Sequence, residues 1–122
     1  GQPVSDELNI TVYPKLKITE TSEDQEICVA TLGEKMSSTS IDGKGNHTFQ
    51  WQVSTDKTVW NNVTVGGTYV TYAPTHNKSG NYYYRVLISD DCHTVTGDVI
   101  TINVKPCYIM VNPNLKSKVA IK

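Results

Sequence analysis

Residues 47–54 read HTFQWQVS and residues 81–89 read NYYYRVLIS. Successive side chains of a strand point to opposite faces, so the alternation in both stretches predicts two strands, each with one apolar face. That face is formed by Phe49, Trp51, Val53, Tyr82, Tyr84, Val86 and Ile88. A third strand at residues 98–105 turns Ile100, Ile102 and Val104 to the same side. We expect these three strands to form one sheet.

The remaining chain is also typical of a β protein. Weaker strands are predicted at residues 16–20, 26–31, 35–41, 60–64 and 68–72, separated by residues that favour turns. Valine, isoleucine and threonine supply 38 residues, whereas leucine and alanine supply eight. Stiff β-branched side chains favour strands over helices. The fold class predicted is all-β, an immunoglobulin-like β-sandwich of seven to nine short antiparallel strands in two sheets.

Length and charge limit the classes of partner. The chain has 122 residues, with 11 basic and 12 acidic side chains and a formal net charge of -1. One domain of ordinary size fits this length. Nucleic acids and anionic membranes are bound through clustered positive charge, which this sequence lacks. No apolar run is long enough to span a membrane. We therefore expect no nucleic-acid partner and no membrane insertion.

A repeated outline indicates tandem modules. Residues 6–14 (DELNITVYP) and 98–106 (DVITINVKP) both begin with an acidic residue, continue as a β-rich run and end on Val-x-Pro. Proline ends a strand because it lacks a backbone donor. We predict that residues 1–14 are the last strand of a preceding module or a linker. Residues 15–106 are then one domain, and residues 107–122 begin a following module or form a tail. Neighbouring modules of the same chain are the expected partners.

A longer motif extends through the central strands. Its residues are Gln50-Trp51-Gln52, Ser54, Asp56, Trp60, Asn62-Val63, Thr71-Tyr72, Pro74 and Tyr83-Tyr84-Arg85-Val86. Over residues 15–106 this pattern resembles the immunoglobulin-like repeats of large secreted adhesins and cell-surface proteins of Bacteroidetes-type bacteria. The resemblance implies a secreted or cell-surface bacterial protein and a non-catalytic module that acts as a structural spacer or in adhesion. The sequence after Pro106 has no counterpart in that family.

The resemblance also implies roles for individual residues. Trp51 is the expected core residue, and Ser79-Gly80-Asn81-Tyr82 resembles the tyrosine corner of antibody-type domains, with Tyr82 as the corner residue. Tyr84 stands where those domains carry a cysteine, so their inter-sheet disulfide cannot form here. Trp51, Tyr82 and Tyr84 are therefore the predicted core.

Three cysteines suggest an oxidising compartment and leave one thiol over. The family resemblance implies a disulfide between Cys28 and Cys92. Cys92 and Cys107 flank the strand at residues 98–105, so they lie too far apart to be bridged. A sandwich whose first strand runs parallel to its last also favours Cys28–Cys92. Cys107 would then be free or pair within the next module.

Catalytic and metal-binding signatures are not found in the sequence. No nucleophile, acid and base constellation occurs, so we expect no enzyme activity, no catalytic residue and no cofactor. His47, His76 and His93 lack the spacing of zinc ligands. Asp90-Asp91 and residues 42–46 offer oxygen atoms for calcium but are better explained as turns, and calcium binding stays open. No metal ligand is assigned.

Aromatic side chains offer the best candidate ligand surface. Trp60, Tyr83 and Arg85 are predicted as possible contacts, because exposed aromatic rings on a sandwich can stack on sugars. The loops at residues 42–46 and 65–67 are further candidates for contact with a surface glycan or a protein ligand. The alternative function is an accessory carbohydrate-binding β-sandwich module of a secreted enzyme. Against it, the family pattern gives Trp60 a packing role.

Overall fold

A computed structural model describes residues 12–107 as nine strands, with no helix among them. The strands are β1 (Lys17–Thr21), β2 (Gln25–Cys28), β3 (Met36–Ile41), β4 (Thr48–Ser54), β5 (Asn61–Asn62), β6 (Thr71–Tyr72), β7 (Gly80–Ser89), β8 (Thr94–Thr96) and β9 (Ile100–Lys105). The eight strands predicted from the sequence are all present, and β8 is additional. The expectations for residues 1–11 and 108–122, that they belong to neighbouring modules, a linker or a tail, lie outside the described residues.

The strands form two sheets, which confirms the all-β sandwich. The small sheet has the order β1-β3-β6, and the large sheet has the order β2-β9-β7-β4-β5, with β8 paired to β7. The three most regular strands, β4, β7 and β9, are neighbours in the large sheet, as expected. All pairs are antiparallel except β2 and β9, which run parallel. Among the described residues there is no helix of the length and apolarity that crossing a membrane requires.

The core lies between the sheets and follows the alternation of the sequence. Its fully buried apolar side chains come from both sheets and from the segment before β1. They are Leu16, Met36, Trp51, Tyr84, Val86, Ile88, Ile100, Ile102 and Val104. Trp51 is at the centre with 0% exposure, and its Nε1 donates to the carbonyl oxygen of Tyr69 at 3.0 Å. Burial of this indole therefore leaves no polar atom without a partner.

The described chain enters and leaves the sandwich at opposite ends. At the end we call the entry pole, the amide of Gly43 donates to the carbonyl oxygen of Pro14 at 2.8 Å. The exit pole lies at the other end of β7, where Gly80 pairs with Val104 and β9 runs out to Lys105. The ten residues of β7 separate the two poles by about 30 Å at 3.3 Å per residue.

The disulfide joins Cys28 to Cys107, so the predicted Cys28–Cys92 pairing is wrong. Because β2 and β9 are parallel, Cys28 is in register with Lys105 at the exit pole, and Cys107 follows two residues later. The Cα atoms of Cys28 and Cys107 are 5.4 Å apart, within the usual range for a bridge. Cys92 lies in the turn after β7, at the entry pole, and is a free, exposed thiol.

Candidate contact surface on the large sheet

A tight turn after β4 determines what covers the outer face of the large sheet. Ser54, which is 3% exposed, accepts hydrogen bonds through Oγ from the amides of Asp56 at 3.1 Å and Lys57 at 2.8 Å. Oδ1 of Asp56 accepts from the amides of Thr58 and Val59 at 2.8 and 2.9 Å. The hydrogen bonds from these backbone amides lower the pKa of the Asp56 carboxyl, and the bond from Val59 has the largest effect. Serine and aspartate at this spacing therefore fix the turn.

This turn carries Lys57 and Trp60 over the sheet. Lys57 has φ of 65°, and its Nζ lies 4.8 Å from the ring centre of Tyr83 on β7. Trp60 donates from Nε1 to the carbonyl oxygen of Lys57 at 3.3 Å, and the guanidinium carbon of Arg85 lies 4.3 Å from its ring centre. Both distances are within the range of cation–π attraction.

Hydrogen bonds hold Arg85 in this position. Its Nε donates to Oε1 of Gln52 at 2.9 Å, and Nε2 of Gln52 donates to Oδ1 of Asn62 on β5 at 2.9 Å. The pairing of Gln52 with both Arg85 and Asn62 in the strand register places these side chains in one row. We call Gln52, Lys57, Trp60, Tyr83 and Arg85 the cation–aromatic face.

The three predicted contact residues thus lie on one surface. Trp60, Tyr83 and Arg85 are all half-buried, and each has a partner from the same chain. Stacking on a sugar needs an aromatic ring whose face is open to solvent. One face of each ring is already occupied by a cation, so the arrangement favours packing of the turn onto the sheet. Sequence analysis did not identify Lys57, because only the turn brings it to Tyr83.

A second surface is more open. Tyr69 is 69% exposed and borders a shallow groove beside the first residues of β4. The groove is lined by His47, Thr48, Phe49, Gln50, Thr68, Tyr69 and Val70. Val65, four residues before Tyr69 and in one of the loops predicted for contact, is 83% exposed. The sequence features of this site are the two glycines in the contact loop predicted at residues 65–67 and the aromatic Tyr69 that follows them.

On the inner face, the two remaining predicted core residues share one histidine. The ring of His76 stacks on Tyr82 with centroids 3.5 Å apart, and its Nε2 lies 2.6 Å from the hydroxyl of Tyr84. Burial raises the pKa of the Tyr84 hydroxyl and lowers the pKa of the His76 imidazole, so burial favours the neutral form of both groups. Tyr82 is half-buried and donates from its hydroxyl to the carbonyl oxygen of Lys78 at 2.9 Å, the bond of a tyrosine corner.

At the entry pole the two segments considered for calcium contact each other. Asp90 accepts through Oδ2 from the amide of Lys44 at 2.8 Å, and through Oδ1 from the amides of Cys92 at 2.8 Å and His93 at 2.6 Å. The hydrogen bonds from these backbone amides lower the pKa of the Asp90 carboxyl to about 2, and the bond from Lys44 has the largest effect. Both oxygens therefore serve the turn, and no group of three or more candidate metal ligands occurs within residues 12–107.

Comparison with known proteins places most of the described chain in one family. A family described as a domain of unknown function (DUF8696) matches residues 18–106. The match lies within the predicted domain at residues 15–106 and includes the cation–aromatic face, the groove at Tyr69 and every buried core residue except Leu16. No curated protein matches the chain.

Proposed function

We propose that the chain, which belongs to the DUF8696 family, is a non-catalytic, immunoglobulin-like module of a secreted or cell-surface bacterial protein. It acts as a structural spacer or adhesion domain between neighbouring modules of the same kind. The single observation that carries this proposal is the position of the two poles. The chain enters beside Gly43 and leaves beside Cys28, at opposite ends of β7.

Opposite poles suit a module that separates other domains. When each domain begins at one end and finishes at the other, successive domains extend in a line and their lengths add. A domain whose ends met at one pole would instead form a side branch and add little length. The disulfide is compatible with an extracellular setting, where such bonds persist.

The cation–aromatic face supports the non-catalytic part of the proposal. Its aromatic rings are engaged by Lys57 and Arg85, and its amide side chain, Gln52, bonds to the guanidinium and to the neighbouring Asn62. Such a surface fixes loops to a sheet. The groups that a reaction would need, an acid and a base around an open cleft, are not gathered there.

A direct test of the spacer function joins two copies of the full 122-residue chain in tandem. Small-angle X-ray scattering should give a maximum dimension about twice that of one copy, because compact domains in line add their lengths. A matched control fuses the second copy into the exposed loop at Val65 of the first. If the tandem is as short as this branched control, the proposal is wrong.

A second function is favoured by one observation, the exposure of Tyr69 in a groove that also contains Gln50 and His47. An open aromatic ring beside amide and imidazole groups is a combination that recognises sugars. The chain would then be an accessory carbohydrate-binding module of a secreted enzyme. Saturable binding of a polysaccharide that is lost in Tyr69→Ala would support this function over the spacer.

A further inference from the structure

The first described residues cross the whole molecule once. From Pro14 at the entry pole, β1 runs antiparallel to β3, whose last residue Ile41 pairs with Lys17. The chain then passes to the large sheet, and β2 continues beside β9 to the exit pole. Residues 12–28 therefore run once from the entry pole to the exit pole, with β1 and β2 as the extended parts of the path.

The disulfide continues this path directly. Cys28 ends β2 at the exit pole and is bonded to Cys107, the last residue that the structure describes. The residues between these two cysteines form a covalently closed loop, in which Cys28 and Cys107 are separated by 79 positions. A force applied to the two ends of the chain acts on residues 12–28, on the bridge and on the chain after Cys107.

We propose that the Cys28–Cys107 bridge makes the module a nearly inextensible link that shields residues 29–106 from tension. This inference rests on the proposed spacer function, since only a module within a connected array is pulled at both ends. The shielded loop contains the cation–aromatic face, the Tyr69 groove and β3 to β9. Surfaces available for contact would thus keep their shape while the array is under load.

The pairing found in the structure matters for this property. A bridge from Cys28 to Cys92 would leave residues 92–107, and with them β9, in the path of the force. β9 lies between β2 and β7 in the large sheet and contributes Ile100, Ile102 and Val104 to the core, so its extraction would break the core. Bridging to Cys107 instead leaves β9 inside the closed loop. Only β1 and β2, the two outermost strands on the path, are loaded.

Chain lengths give the expected size of the effect. With the bridge intact, residues 12–28 give 16 residue steps, which span about 58 Å when fully extended at 3.6 Å each, so stretching them beyond the pole separation of about 30 Å adds less than about 30 Å. Without the bridge, 107 minus 12 gives 95 steps, which span about 340 Å at 3.6 Å each. After subtraction of the folded length, unfolding then releases about 300 Å, roughly ten times more.

The test is a single-molecule force measurement on the full 122-residue chain, held through peptide tags at its two ends. All proteins carry Cys92→Ser, which removes the free thiol and keeps the bridge. We expect no unfolding step above about 30 Å in Cys92→Ser alone, and steps of about 300 Å when Cys28→Ser and Cys107→Ser are added. Residues 1–11 and 108–122 contribute equally to both proteins.

Two results would overturn the proposal. One is a step near 300 Å in the bridged protein, and the other is an intermediate step, which would mean that another part of the sheet is in the path. If the triple variant does not fold, a thiol reductant is added to the mounted Cys92→Ser protein. The extension gained should then approach 79 positions at 3.6 Å, or about 280 Å. If only the spacer function is wrong, the tandem protein will have a short maximum dimension in the scattering experiment, whereas the step lengths in the force experiment will be unchanged.

Discussion

The two tryptophans of this domain pack on opposite faces of the large sheet, and their surroundings differ in kind. Trp51 is enclosed between the sheets with 0% exposure, whereas Trp60 is half-buried outside, under the guanidinium of Arg85. Each indole Nε1 donates to a backbone carbonyl oxygen. The acceptor is the carbonyl of Tyr69 for Trp51 and the carbonyl of Lys57 for Trp60. The two tryptophans therefore differ in how much apolar area they remove from water and in which group contacts the ring.

This contrast separates two uses of aromatic residues in one motif. The inner ring contributes mainly through burial, which scales with apolar area and is large for a tryptophan. The outer ring contributes through a cation–π contact near solvent, a much weaker effect. The inner face should therefore dominate the free energy of unfolding. The outer face should fix the turn at residues 54–60 without deciding whether the domain folds.

Truncation at the centre of the inner face should have the largest effect. Trp51→Ala removes a fully buried indole and leaves a cavity, so we expect a loss of about 3–5 kcal/mol in the free energy of unfolding. Urea denaturation followed by circular dichroism measures it. Trp51→Phe is the matched control, since it keeps an aromatic ring and should lose clearly less. Equal losses in the two variants would show that the site is not closely packed.

The histidine at the edge of the inner face should give an intermediate, pH-dependent effect. Burial holds the pKa of His76 below 6.5, so protonation favours the unfolded chain. Its stabilising contribution is complete above pH 6.5 and is lost as the pH falls through the lowered folded-state pKa. His76→Phe should cost about 1–2 kcal/mol at neutral pH, because it removes the hydrogen bond between the imidazole and the buried Tyr84 hydroxyl.

The pH profile itself distinguishes this contribution from a general effect of acid. Thermal midpoints measured from pH 8 to pH 5 should decline more steeply in the wild type than in His76→Phe. A wild-type slope that survives in His76→Phe would assign the pH dependence to other groups.

The smallest effect is expected on the outer face. Trp60→Ala should reduce the free energy of unfolding by about 1 kcal/mol, because the lost contact is partly solvated. A double-mutant cycle with Arg85→Ala isolates the pair, and we expect a coupling of about 0.5–1 kcal/mol. Lys57→Ala with Tyr83→Ala provides a second, independent cycle. A coupling near zero in both cycles would mean that the cations do not hold the turn.

Much of the fold follows from local patterns in the sequence. β4, β7 and β9 begin and end within two residues of their predicted limits, because their alternation is unbroken. β5 and β6 are only two residues long, since turns occupy most of the stretches predicted for them. β8 was not predicted, because three residues between a turn and Gly97 carry too little periodic signal.

The disulfide and the details of the contact surface depend on tertiary structure. The parallel pairing of β2 with β9 was anticipated, but the bridge depends on where Cys28 falls along β2, which only the register gives. Trp60, Tyr83 and Arg85 are correctly brought to one surface by strand alternation. Whether these side chains are available to a ligand depends also on Lys57, which reaches Tyr83 through a turn fixed by Ser54 and Asp56. Such contacts leave no periodic trace in the sequence.

The most direct test of the outer-face account is a binding screen of the full, oxidised chain against soluble and insoluble polysaccharides. Wild type, Trp60→Ala, Tyr83→Ala and Tyr69→Ala are compared, each with its fold checked by circular dichroism. If the aromatic rings serve packing within a spacer, no polysaccharide should bind saturably to any of them. Saturable binding by the wild type that is lost in a folded aromatic variant would contradict the account and identify a carbohydrate-binding module.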